Sequence, residues 1–97
     1  MPTYVTLIHY TEQGIKTFND LPARLEETRK VGEPLGASVV AYYLTMGRYD
    51  AIIVTEAPDD ETVAKLVLAA GARGNSRTEM LRAFTEDEAK KIASELP

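Results

Sequence analysis

The sequence predicts an α+β fold: a four-stranded antiparallel sheet with two helices on one face and a further helix at the C-terminal end. Three observations predict it. Apolar residues alternate with a period of two in four segments and recur at helical spacing in the segments between them. Read along the chain, the order is strand, helix, strand, strand, helix, strand, helix. Finally, Leu44-Thr45-Met46-Gly47-Arg48-Tyr49-Asp50 joins two strands directly, and both strands carry large apolar or aromatic groups on both faces.

Residues 3–10 read as the first strand, with Val5, Leu7 and His9 on one face and Tyr4, Thr6, Ile8 and Tyr10 on the other. Thr11 is the expected N-cap of a short helix over residues 12–19, which puts Ile15 and Phe18 on one side. Asp20 and Pro22 open a second helix, since proline is tolerated in a first turn. Leu21, Leu25 and Thr28 form its stripe, and Gly32 and Pro34 end it. Residues 37–46 form the second strand, where Val39, Ala41 and Tyr43 alternate with Val40, Tyr42 and Leu44. Gly47-Arg48 is a hairpin-type connection into a third strand over residues 49–55. Pro58-Asp59-Asp60-Glu61 starts a helix whose acids suit the positive end of the dipole, with Val63, Leu66, Val67 and Ala70 as its stripe. Gly71 and Gly74 stop that helix before the fourth strand, residues 76–84. Thr85 and Glu88 fit a capping box, and Ala89, Ile92, Ala93 and Leu96 give the last helix its apolar side. This order is the split βαβ arrangement of the ferredoxin-like class, plus a C-terminal helix.

Ninety-seven residues suffice for one core, and residues 1–97 are read as a single domain. The chain is 44% hydrophobic and 27% charged, as in soluble globular proteins. A formal net charge of −4 argues against a general nucleic-acid binder. The absence of cysteine excludes disulfides and thiolate metal sites, and one histidine argues against a protein-only zinc site. No segment has the pattern of a signal peptide or the length of a membrane span, so neither membrane association nor export is expected and the location is read as cytoplasmic. Two helices cover one sheet face. The other face, equally apolar, would be left in water, so a homo-oligomer is expected, a dimer or an assembly of dimers with sheets packed face to face.

Several segments carry a resemblance: Met1-Pro2-Thr3-Tyr4-Val5, Thr11-Glu12-Gln13-Gly14-Ile15, Tyr43-Leu44-Thr45-Met46-Gly47-Arg48-Tyr49-Asp50, Glu56-Ala57-Pro58-Asp59-Asp60-Glu61, Gly74-Asn75-Ser76-Arg77-Thr78 and Leu81-Arg82-Ala83-Phe84. In this order they resemble the GYD domain family across essentially the whole chain. The family's Gly, Tyr and Asp are here Gly47, Tyr49 and Asp50. The resemblance implies a dimeric α+β barrel, in which two sheets form one barrel. The wider superfamily includes monooxygenases, isomerases, haem-degrading enzymes and ligand-binding regulators, and a shared fold does not choose among them.

Each candidate residue has a structural and a functional reading. Gly47 and Asp50 suit a turn, through positive φ and local hydrogen bonds, while Tyr49 and Asp50 could orient a ligand, with Asp50 as a base. His9 is a general base or ligand by type, but no acid or Cys/His cluster accompanies it in sequence; a haem held by His9 has no second feature behind it. Asn75 and Arg77 lie where the second long helix enters the fourth strand. Arg77 could bind a carboxylate or phosphate, and Arg73 complements the helix end. Gly71-x-x-Gly74 is no phosphate loop, because it follows a helix instead of preceding one. Tyr4, Tyr10, Tyr42 and Tyr43 are expected in the core and interface. The acidic runs 59–61 and 86–88 are dipole partners rather than paired catalytic carboxylates.

Two functional readings follow. In the first, the protein is a small dimeric ligand-binding or regulatory domain whose pocket, between the helices and the sheet or inside the dimer barrel, uses His9, Tyr43, Tyr49, Asp50, Asn75 and Arg77 among apolar walls. In the alternative, it is a cofactor-free or haem-linked monooxygenase or isomerase with His9 moving the proton. No cofactor is expected from the residues themselves.

Overall fold

The computed structural model describes all residues, 1–97. Four strands, β1 (Thr3–Tyr10), β2 (Ser38–Leu44), β3 (Ala51–Glu56) and β4 (Ser76–Ala83), form one antiparallel sheet in the order β2-β3-β1-β4. The helices are α1 (Glu12–Lys16), α2 (Leu21–Gly32), α3 (Asp60–Gly71) and α4 (Glu86–Ser94). This is the ferredoxin-like arrangement with a C-terminal helix. The central strands β1 and β3 each have a hydrogen-bonded neighbour on both sides.

Helix starts follow the local chemistry. The Thr11 hydroxyl accepts the Gly14 N–H at 3.1 Å, and Asp59 accepts both the Thr62 N–H and its hydroxyl. Thr85 and Glu88 form the reciprocal capping box that opens α4. The first helix is shorter than the 12–19 expected. It ends at Lys16, and residues 18–20 continue as a 3-10 turn into α2. Gly14 explains its position: a Cβ there would stand 2.0 Å from the Asn75 carbonyl oxygen, so only glycine lets α1 lie against the start of β4.

Two strands also differ from expectation. The third begins at Ala51 rather than residue 49, because residues 45–50 form a loop closed by the Thr45 N–H donating to the Asp50 carbonyl at 2.9 Å. The strict alternation in β2 is broken by a bulge between Val39 and Ala41. The extra residue puts Val39 on the helix side with Tyr42, while Ala41 and Tyr43 share the other face.

The core sits under the first half of β1, where Tyr4, Ala37, Ala57, Val63 and Leu66 cluster and Val31, Val67 and Met80 pack against them. Tyr4 is 1% exposed, and its hydroxyl donates to an Asp60 carboxylate oxygen at the head of α3. No buried side-chain nitrogen or oxygen lacks a hydrogen-bond partner. No residue of α4 is buried: Ile92 remains 46% exposed and Leu96, just past its end, 68%, so the apolar stripe has no cover. The shape reflects this arm. The radius of gyration is 14.5 Å and the longest extent 51 Å, against about 13 Å for a compact chain of 100 residues.

Candidate functional site

Register decides which side chains meet. In β1, Tyr4, Thr6, Ile8 and Tyr10 face the helices, while Val5, Leu7 and His9 face away. Across the sheet, Val5 pairs with Val54 and Leu81, and Leu7 with Ile52 and Glu79. Ala41 pairs with Val54 and Tyr43 with Ile52. The face away from the helices is therefore an apolar field, with Tyr43 61% and Leu81 46% exposed.

A polar cluster closes one end of that field. His9 stands opposite Arg77, and its ring lies 4.8 Å from that of Tyr49. The Tyr49 hydroxyl donates to Glu79 Oε2 at 2.8 Å, and this bond is the main reason its phenol is held above the usual value. His9, Tyr49 and Arg77 thus share one surface with Glu79. Tyr43 is on the same face but on the outer strand β2, beyond β3.

Asp50 and Asn75 are drawn elsewhere. Asp50 Oδ2 accepts the Tyr10 backbone N–H at 2.9 Å, which extends the β1–β3 pairing past its last backbone rung. Asn75 Oδ1 accepts from Gln13 Nε2 at 2.9 Å, and its carbonyl accepts the Thr11 N–H, so it fastens α1 to β4 on the helix side. The six candidate residues therefore divide: three around Glu79, Tyr43 apart on the same face, and Asp50 and Asn75 in structural junctions.

The helix side holds a second feature. Next to the core residues Val63 and Leu66, α2, α3 and the sheet flank a mostly apolar, partly open cavity of about 100 Å³. Ile8, Ile53, Leu25 and Val67 give apolar walls, and Tyr10 and Arg24 stand among the lining. The Tyr10 and Tyr42 hydroxyls lie 2.8 Å apart, and burial together with this contact pushes the Tyr10 phenol well up.

Glu79, Arg24 and the Tyr10–Tyr42 pair were not among the sequence candidates. Glu79 had a signal, the period-two spacing from Arg77 that places both on one strand face. The tyrosine pair depended on the β2 bulge, and Arg24 on how the short first helix lies.

A four-stranded α+β domain with helices over one face and a bare apolar field on the other is the class defined by this fold. The GYD domain profile matches residues 4–93, and the chain belongs to the GYD domain family. It is 37% identical, over 85 residues, to the "Glutamine synthetase and cystathionine beta-lyase binding protein" of Thermus thermophilus, covering 87% of this chain and 90% of that protein. Among solved structures it is similar to TTHA0845 from Thermus thermophilus, with a TM-score of 0.54, 23% identity, and coverage of 88% of this chain and 95% of the other. The protein FFRP-DM1 superposes with a TM-score of 0.58 at 16% identity over 87% of this chain and 100% of its own. The Mycobacterium tuberculosis leucine response regulatory protein LrpA gives 0.58 at 16% identity, over 89% of this chain and 54% of that longer one. These structural likenesses concern the fold.

Proposed function

We propose that this protein is a small binding or regulatory domain, one unit over residues 1–97, that works in the cytoplasm as a homo-oligomer. Two copies pack their open sheet faces together and so present a rigid body to partner proteins. The observation that carries this reading is the field of Val5, Leu7, Ile52, Val54, Tyr43 and Leu81, which no helix of the chain covers. Such a field, rimmed by the polar residues Glu79 and Arg77, has the composition of an interface core. That a relative is named for binding two enzymes supports the protein-partner part of the reading. No helix here is long and apolar enough to cross a membrane.

Light scattering after gel filtration tests the assembly. An even-numbered oligomer is expected at micromolar concentration, and Leu81→Glu, a charge on the β4 side of the field, should reduce it to monomer with the circular dichroism spectrum retained. A wild-type monomer would overturn the reading.

One observation favours a second reading. His9, Tyr49, Glu79 and Arg77 gather at one end of the face that the assembly would enclose, which is the arrangement a proton-transfer enzyme of this fold would use. His9→Ala distinguishes the two. Loss of a turnover with assembly intact supports the enzyme; unchanged partner binding supports the binding domain.

A further inference from the structure

We propose that the cavity between the helices and the sheet is a binding site for a small carboxylic acid with an apolar body. This deepens the binding reading above and rests on it: the acid is the small molecule to which the domain responds.

The cavity is unusual for its position. A domain of this size fills the space between its layers, and here the Tyr4–Leu66 cluster fills part of that space while a cavity opens against its own Val63 and Leu66. Its walls are chiefly aliphatic, which suits an apolar ligand body. An apolar cavity of about 150 Å³ accommodates a benzene ring, so this one, at about 100 Å³ and open at its mouth, suits a body of similar or slightly smaller size.

The floor is not wholly apolar. Thr55 on β3, Thr6 on β1 and Thr78 on β4 line the cavity. Thr6 pairs with Ile53 and Met80, Thr55 with Tyr4, and Thr78 with Ile8, so the three threonines run diagonally across three adjacent strands. Thr6 and Thr55 are each only 6% exposed. A core selected only for packing favours valine at such positions; a row of hydroxyls provides hydrogen bonds to a polar atom placed among them.

The charge in the lining selects the acid. Arg24 has its guanidinium turned to neutral oxygens, donating to the Gly14 carbonyl at 3.2 Å and the Thr17 carbonyl at 2.8 Å. It takes no part in an ion pair, whereas Arg73, the other arginine of the lining, pairs with Glu27 at 3.7 Å. Beside it, Tyr10 lines the cavity with its hydroxyl 2.8 Å from that of Tyr42, and with Tyr42 as the donor of that contact the Tyr10 phenol hydrogen is left for a ligand. Asp50 lies behind Tyr10 with its carboxylate committed to the Tyr10 N–H, and Glu27 is committed to Arg73. A cation and a phenol in the lining of an otherwise apolar cavity match a carboxylate head on an apolar body.

Sodium hexanoate is the probe, with hexanamide as its neutral counterpart, followed by amide chemical shifts of the full chain. Saturable shifts at Thr6, Thr55 and Thr78 are expected with hexanoate, at least tenfold weaker with hexanamide. Arg24→Gln should remove the preference for the acid. Because Arg24 also holds α1, Ala70→Leu serves as an independent variant that fills the cavity from α3, and it should abolish the shifts. Hexanoate without effect at millimolar concentration, equal binding of the amide, or shifts that survive Ala70→Leu would each overturn the proposal. The mass of the same samples separates the two failures: an intact oligomer that ignores hexanoate sinks only the cavity proposal, and a monomer that binds it sinks only the assembly.

Discussion

The Asp50 carboxylate accepts the Tyr10 backbone N–H at 2.9 Å, while the Asp50 N–H donates to the Ile8 carbonyl at 2.8 Å. One residue of the loop thus closes the end of β1 twice, once with its backbone and once with its side chain. A hydrogen bond to a charged acceptor contributes about 1.5–3 kcal/mol. Asp50→Ala should therefore lower Tm by roughly 6 °C or more, at about 4–8 °C per kcal/mol for a domain of this size. Asp50→Asn keeps an acceptor oxygen and should recover part of the loss. Thermal denaturation followed by circular dichroism reads both, and an unchanged Tm in the alanine variant would return Asp50 to the pool of free carboxylates.

Two glycines should fail for different reasons. Gly47 has φ +117°, and a methyl group at its Cα would meet nothing within 4 Å, so Gly47→Ala meets backbone strain alone, on the order of 1–2 kcal/mol. At Gly14 a Cβ would stand 2.0 Å from the Asn75 carbonyl oxygen, and α1 would have to leave β4. Urea denaturation should rank Gly14→Ala as the more damaging, and its amide shifts should change at Thr11 and Asn75, where Gly47→Ala leaves them in place. The reverse ranking would refute the close approach.

Much of this architecture was legible in the chain. The element order, the Thr11 cap, the Thr85–Glu88 box and the parity of β1 follow from spacing and capping chemistry, and all act within a few residues. The bulge at β2 was not legible. It inserts one residue without a glycine or proline to mark it, and it moved Val39 to the helix side. The candidate site divided for a related reason. Strand parity groups His9 with Arg77, but Asn75 precedes β4 and is turned by Gln13 toward α1, and Asp50 precedes β3 and turns back to Tyr10. Such long-range hydrogen bonds join residues whose separation in sequence says nothing of their contact.

The box that opens α4 makes stability depend on acid. The Glu88 carboxyl is held below its usual value, first by the Thr85 backbone N–H. Asp59 is held down in the same sense, first by the Thr62 side chain. A depressed folded pKa stabilises above the unfolded value, near 4 for these groups, and that contribution disappears as pH falls through the folded value. Glu88→Ala should consequently reduce the helical signal of α4 at pH 7 and make little difference at pH 2–3. An effect of equal size at both ends would show that the carboxylate is not involved.

At the alkaline end the tyrosines supply the counterpart. Three of the five phenols, Tyr4, Tyr10 and Tyr49, are raised above the ordinary value: Tyr4 first by its bond to Asp60, Tyr10 first by burial, Tyr49 first by its bond to Glu79. A raised folded pKa means that the stabilisation is complete below the unfolded value, about 10 for tyrosine, and is lost as pH rises above it. Tm should hold to about pH 9 and fall beyond pH 10, with a smaller fall in Tyr10→Phe. Absorbance of phenolate near 295 nm gives the individual check. Glu79→Gln takes away the negative acceptor beside Tyr49, so one further phenol should ionise near pH 10 in that variant than in the wild type. Identical titration curves would mean that Tyr49 and Glu79 do not share a proton-bearing contact in solution, and the polar cluster at the end of the open face would lose the member that links His9 to a carboxylate.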